Sequence, residues 1–157
     1  MSEPYRFQIM PEKNVVFVKH YDEINLANIL DRTQAIKEHP CSVKHMSRLV
    51  DCRNCKINLS PKDLQIIADL IVSQRTERGF YTEILLVSGM LSRGFSRMLV
   101  AMIDKLDIRY EVLWDNDPEL EIKVCDLLQI ERNSVFPDFI GLPFRSLTDC
   151  DAVANKR

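Results

Sequence analysis

Glycine is scarce in this chain of 157 residues: there are four, Gly79, Gly89, Gly94 and Gly141. A loop that cradles phosphate needs several glycines close together, so nucleotide binding is not expected. Charge of one sign is also missing. Lys and Arg total 21 against 23 Asp and Glu, and the basic residues are spread along the chain. That balance excludes the basic stripe of a nucleic-acid-binding face. Long apolar runs are missing too, for the longest uncharged one, residues 84–91, is far too short to cross a bilayer. The start, MSEPYRFQ, has no basic region followed by an apolar one, so no signal peptide is expected. Histidine occurs three times, at the scattered positions His20, His39 and His45. No Ser–His–acid grouping and no paired carboxylates stand out, and Asp115 and Asp117 read as a turn and a cap. The reading therefore assigns no catalytic residues, no metal site and no cofactor.

What is present is an ordinary globular balance, 46% hydrophobic and 28% charged, in a length that suits one domain with a sizeable core. Cysteines number five, an odd count, and a chain of this size needs no disulfide framework. A reducing cytoplasm is the expected compartment.

Hydrophobic periodicity predicts alternating strands and helices. YRFQIM alternates apolar and polar residues, and VVFVKH is β-branched and apolar on both faces, which predicts a hairpin over residues 5–20. A helical pattern over residues 23–39 carries Leu26, Ala27, Leu30, Ala35 and Ile36, and Pro40 closes it. RLVDC is a short strand. Ser60, Pro61 and Asp63 then form a strong helix start, and Leu64, Ile67, Ala68 and Ile71 make one face. Gly79 is placed to end that helix. ILLVSG reads as a strand covered on both sides. Phe95, Met98, Leu99, Met102, Ile103 and Leu106 make the next helical stripe, and YEVLWD the last strand of the sheet core. A final helix follows Asp117, with Leu120, Val124 and Leu127 inward. The expected class is α/β: a mostly parallel sheet of βα units with an N-terminal antiparallel hairpin strand and helices mainly on one face. Residues 1–130 form that domain. Residues 131–157 form an extension, and its apolar, non-helical stretch VFPDFIGLPF needs a surface to lie on, because the other sheet face would otherwise be bare. That surface is expected within the chain or across a twofold dimer.

The succession RLVDCRNCKINLSPKDL, EILLVSGMLSRGFSRML and YEVLWDNDPELEIKVCDLL resembles the bacterial STAS-like proteins related to the anti-sigma factor antagonists. The matching features are a strand ending in Asp-x-Arg, a Gly-x-x-Arg-Met stretch at Gly94, Arg97 and Met98, and a last strand leading into a C-terminal helix. The resemblance covers roughly residues 5–130. It implies helices on one side of the sheet and an architectural link to lipid-binding CRAL-TRIO domains. The chain departs from the antagonists at their phosphorylated serine, since Asp51 is followed by Cys52 and no glycine follows. Ser60 is better explained as a helix cap, so no phosphoserine switch carries over.

VDCRNC, residues 50–55, has the spacing of a dithiol redox centre or of half a zinc site, and equally of a plain strand end. A reactive first sulfur needs a helix N-terminus within a turn, but the helix starts about five residues after Cys55. Cys41, His45, Cys52 and Cys55 offer zinc a ligand set, with irregular spacing. Strand alternation puts Cys52 beside Val50 in the core, which is the favoured reading. Asp51 and Arg53 share the opposite face at the carboxyl end of a parallel strand, where α/β sheets place ligands. The stretch from Ser88 to Arg97 follows the next strand and offers Ser92, Arg93, Gly94, Ser96 and Arg97 to an anion. The competing reading is an ion pair of Asp51 with Arg53 or Arg97 that fixes two loops. The expected ligand-binding residues are Asp51, Arg53, Ser92, Arg93, Gly94 and Arg97.

The expected function is a non-enzymatic regulatory or protein-interaction module of STAS-like type, with a protein partner and a homodimer in view. The alternative is a carrier or sensor of a small apolar ligand or lipid. A cysteine-dependent enzyme is the third reading.

Overall fold

The computed structural model describes residues 3–103 and 109–142, and for residues 90–93 the backbone alone. Its elements run β1 (Tyr5–Met10), a single 3-10 turn, β2 (Val15–His20), β3 (Glu23–Asn25), α1 (Leu26–Glu38), β4 (Ser47–Asp51), β5 (Lys56–Asn58), α2 (Pro61–Arg78), β6 (Thr82–Val87), α3 (Met90–Ile103), β7 (Arg109–Trp114) and α4 (Leu120–Leu128). The main sheet has the order β1-β2-β4-β6-β7. The β1–β2 hairpin is antiparallel and the other neighbours are parallel, so the chain is α/β with a mixed, mostly parallel sheet. Each new strand adds beside the last. Right-handed crossovers then put α1, α2 and α3 on one face, as expected.

Two three-residue strands, β3 and β5, make a second, parallel sheet in which Ile24 pairs with Ile57. The sequence reading assigned β3 to the start of a helix. In the structure Asn25 caps α1, its side chain accepting from the N–H of Asn28 at 2.8 Å. The inward stripe of α1 is also different from the expected one. Leu30 and Ala27 are exposed, and Ile29, Arg32, Thr33 and Ile36 are buried. That i, i+3, i+4, i+7 spacing is one helix face, with an arginine inside it.

The α2 start is as read. Ser60 accepts from the N–H of Asp63 at 3.1 Å, and the Asp63 carboxylate accepts from the N–H of Ser60 at 2.8 Å. Gly79 ends the helix at φ 73°, and a Cβ there would lie 2.2 Å from the His45 ring. Along α3, Leu99 and Ile103 are buried, but Met98 and Met102 face solvent, so the apolar stripe is narrower than expected. Leu106 lies outside the described residues.

The other face of the sheet is not bare. Among the described residues no strand follows β7 in the sheet, so α4 is not held to a crossover, and it returns over the opposite face. Leu120, Val124, Cys125 and Leu128 pack there on Val15, Phe17, Leu49, Ile84 and Leu86, with Leu128 rather than Leu127 fully inward. Phe136, Ile140 and Leu142 complete the layer from the same chain. The Phe136 ring meets Phe17 edge-on, with centroids 5.6 Å apart. Phe144 and the rest of the extension lie outside the described residues.

Candidate functional site

Strand alternation decides which way each side chain of β4 faces. Leu49 and Asp51 face α4. Arg48, Val50 and Cys52 face α1–α3. Two different polar groups result.

At the strand ends, Asp51 is fully buried. It accepts from Lys19 Nζ at 3.1 Å, from Arg53 Nη2 at 2.8 Å, from Arg53 Nε at 2.9 Å and from the Arg53 N–H at 3.0 Å. Burial alone would raise the carboxyl, but the bonds and charge of Arg53, with Lys19, outweigh it and hold the carboxyl below its usual range. Arg53 also donates to the Gly141 carbonyl, which ties the C-terminal segment to the strand ends. The Asn54 N–H donates to Ser88 Oγ at 2.7 Å and joins the two strand-end loops. With both carboxylate oxygens occupied, the pair is an anchor rather than an open ligand site.

Of the other expected ligand residues, Gly94 and Arg97 are exposed and lie within α3, not in a loop before it. Backbone N–H groups beyond the first turn of a helix are consumed internally, which removes that part of the anion loop. Among the described residues no hydrogen bond or ion pair joins Arg97 to Asp51. The side chains of Ser92 and Arg93 lie outside the described residues.

The thiols of VDCRNC do not act together. Cys52 is buried, and burial pushes its thiol far up. Cys55 donates to the His20 carbonyl at 3.2 Å and is pushed up to about 11, chiefly by burial. Neither is held as a thiolate, so a redox centre has no support. Cys41 is exposed, and the His45 ring bonds the Phe80 carbonyl at 3.0 Å. Among the described residues no group of three or more His, Cys, Asp or Glu could hold a metal ion.

Of the residues offered to an anion, Ser96 belongs to the second polar group, where it is buried. Between the sheet and α1–α3 lies a cavity of about 70 Å³. His20, Arg32, Thr33, Arg48, Gln74 and Glu83 line it, each at most 9% exposed. The remaining wall is apolar, with Val50, Ile67, Leu85, Val87, Phe95 and Leu99 among its members. Arg48 and Glu83 are register partners on β4 and β6. Their closest approach is 3.9 Å, an ion pair too long for a hydrogen bond. Arg32 Nη1 lies 3.4 Å from His20 Nε2. A guanidinium only donates, so this ring nitrogen accepts and the His20 proton sits on Nδ1. Burial, and then the Arg32 charge, lower His20 to about 3, so the ring is neutral.

His20 Nδ1, Arg32 Nε, Thr33 Oγ1, Arg48 Nε and Glu83 Oε2 are buried without a hydrogen-bond partner among the described residues. Each such atom costs about 1–3 kcal/mol unless something fills the gap. Two guanidinium groups face one carboxylate, leaving one net positive charge in a low-dielectric space. Burial, and then the Arg48 charge, lower the Arg32 pKa. The arrangement offers donors to a ligand. A neutral histidine with so low a pKa is a poor base, and the Cys52 thiol is far from ionised, so the geometry favours binding over covalent chemistry.

The sequence held a signal for this site. The parity that puts Cys52 in the core also puts Arg48 there, and Glu83 shares the parity of Leu85 and Val87. Compared with known proteins, the chain matches no family model, no curated protein and no solved structure.

Proposed function

We propose that this chain is a non-enzymatic regulatory module of STAS-like type that senses or carries a small ligand held between its sheet and α1–α3. The observation that carries this reading is the cavity lined by His20, Arg32, Thr33, Arg48 and Glu83, each with a buried polar atom that has no hydrogen-bond partner among the described residues. Native proteins pair the large majority of such atoms, so a cluster of exceptions calls for an occupant. The element order agrees with the STAS-like part of the reading. Size argues against a lipid chain. The cavity is about 70 Å³, and an engineered cavity of roughly 150 Å³ takes one benzene.

A ligand that binds only the folded state raises stability by RT ln(1 + [L]/Kd). Thermal melting across a panel of small acids, amides, alcohols, lipids, nucleotides and metals tests the reading. At least one small molecule is expected to raise Tm, and lipids, nucleotides and metals are not. A panel without any small-molecule effect, with ordered water alone in the cavity at high resolution, would overturn it.

A further inference from the structure

Resting on that reading, we infer that the ligand is a small aliphatic monocarboxylate, bound as its anion by Arg32 and Arg48 and admitted between the C-terminal ends of α1 and α2. The charge balance selects an anion. The orphaned N–H groups of Arg32 Nε, Arg48 Nε and His20 Nδ1 are three donors with nothing to donate to. A carboxylate supplies four lone-pair sites in one plane and matches guanidinium geometry. The balance of the lining limits the ligand to one negative charge. Among the side chains that line the cavity, Arg32 and Arg48 against Glu83 leave a single positive charge, and a dianion would exceed it.

The wall is polar on the β2 and α1 side, with His20 and Arg32, and at the Arg48–Glu83 pair, and it is apolar along β6 and α3 past Glu83. Arg48 and Glu83 stand side by side, and two residues further along the same parallel strands stand Val50 and Leu85. Beyond them come Val87, Phe95 and Leu99. A carboxylate held by Arg32 and Arg48 therefore directs an aliphatic tail toward β6 and α3, away from His20. Length is restricted: the cavity is about half of the roughly 150 Å³ that takes one benzene, which limits the acid to a few heavy atoms, of acetate to propionate size.

The entry is visible on the surface. A second hollow of about 170 Å³ lies between the ends of α1 and α2 and shares Thr33, Arg48 and Gln74 with the buried cavity. Lys37, Lys44 and Arg78 line it, against the single carboxylate of Glu77. Such a lining draws anions in. The Lys37–Glu77 ion pair, 3.1 Å long and well exposed, joins α1 to α2 across this mouth.

The test is calorimetry and thermal melting of the full chain with acetate, propionate and butyrate, against propionamide, malonate and chloride. Carboxylates of two or three carbons are expected to bind best, with propionamide, malonate and chloride inert. Arg48→Met is expected to weaken propionate about tenfold or more, the loss of one charge-assisted partner. Because that variant strands Glu83, Arg48→Met/Glu83→Gln is the folded control, and it too should lose binding. Lys37→Ala, at the exposed mouth, should speed exchange while leaving affinity within about twofold, since exposed pairs contribute little. If propionamide binds as well as propionate, or the double variant keeps carboxylate binding, the anion assignment is overturned and the ligand module stands. If no small molecule binds at all, both fall.

Discussion

On the α4 side of the sheet, Phe17, Leu49, Ile84 and Leu86 meet Leu120, Val124, Leu128 and Phe136. On the other side, Val16, Val50 and Leu85 share their layer with His20, Arg32, Arg48 and Glu83. The same strands supply both faces through alternate residues. On the α4 side the strands keep their charge at the rim, where Asp51 is saturated by Arg53 and Lys19. The other buried polar residues on that side are Thr82, which shares the parity of Ile84 and Leu86 on β6, and Glu121 and Ser134, which come from α4 and the segment after it. On the α1–α3 side the strands bring charge into the middle of the layer and leave it short of partners. One face is packed for stability. The other carries a stability cost that suits binding, the usual relation between stability and function.

The largest expected effect comes from breaking the packed face. Phe17 is fully buried and holds Phe136 edge-on. Phe17→Ala removes a ring from a tight layer and should cost about 3–5 kcal/mol. Urea unfolding followed by tryptophan fluorescence measures it. A loss under about 1 kcal/mol would mean that residues 131–142 do not rely on this face, against the size expected for such a truncation.

A second experiment sharpens the contrast by changing the polar face in two ways. Glu83→Leu leaves Arg32 and Arg48 buried without a counter-charge, and removing one partner of a buried pair costs about 3–5 kcal/mol. Arg48→Leu/Glu83→Leu removes both partners. Replacing a whole buried pair is often neutral or stabilising by about 1–4 kcal/mol, so the double variant should unfold at or above the urea midpoint of the original chain. Non-additivity of that sign would show that the pair does not support the fold, as a face kept for binding requires. A double variant as unstable as Glu83→Leu would show instead that the pair supports the fold.

The sequence made some of this architecture legible. Ser60-Pro61 with Asp63, the run ILLV and the alternation about Val50 each have one physical reading, and the structure follows it. The strand-end pair Asp51–Arg53 was legible because both residues share one parity. Three features were hidden for identifiable reasons. Handedness rules bind a helix only when a parallel strand follows it, and among the described residues none follows α4, so the rules leave its face open. β3 and β5 are three residues long, too short to show a period. Arg32 carries no signal of its own, because an inward arginine reveals itself only beside Arg48 and Glu83, which reach it from other elements. Hydrophobic periodicity finds apolar stripes and passes over a charge placed inside one.

The smallest expected effect distinguishes the faces by pH. His20, on the polar face, has an ordinary value of 6.5 and is lowered to about 3 by burial and by Arg32, with Asp51 opposing. The unfolded chain therefore takes a proton on this ring below about pH 6.5 that the folded chain refuses until about pH 3. Stability is fully present above the upper value and falls as pH drops through the window, by about 1.4 kcal/mol per pH unit at most. Asp51, on the other face, is held below its ordinary 3.8, so its contribution is present above that value and is lost only at lower pH. The two faces thus respond to acid in different ranges. Urea midpoints of the original chain should decline between about pH 6 and pH 4, and His20→Gln should flatten that decline. Asp51→Asn should lower stability at neutral pH and leave the slope between pH 6 and 4 unchanged. An original chain with level stability from pH 6 to 4 would mean that His20 takes a proton inside the folded layer. The Arg32–His20 contact, which needs an acceptor on Nε2, could not then persist.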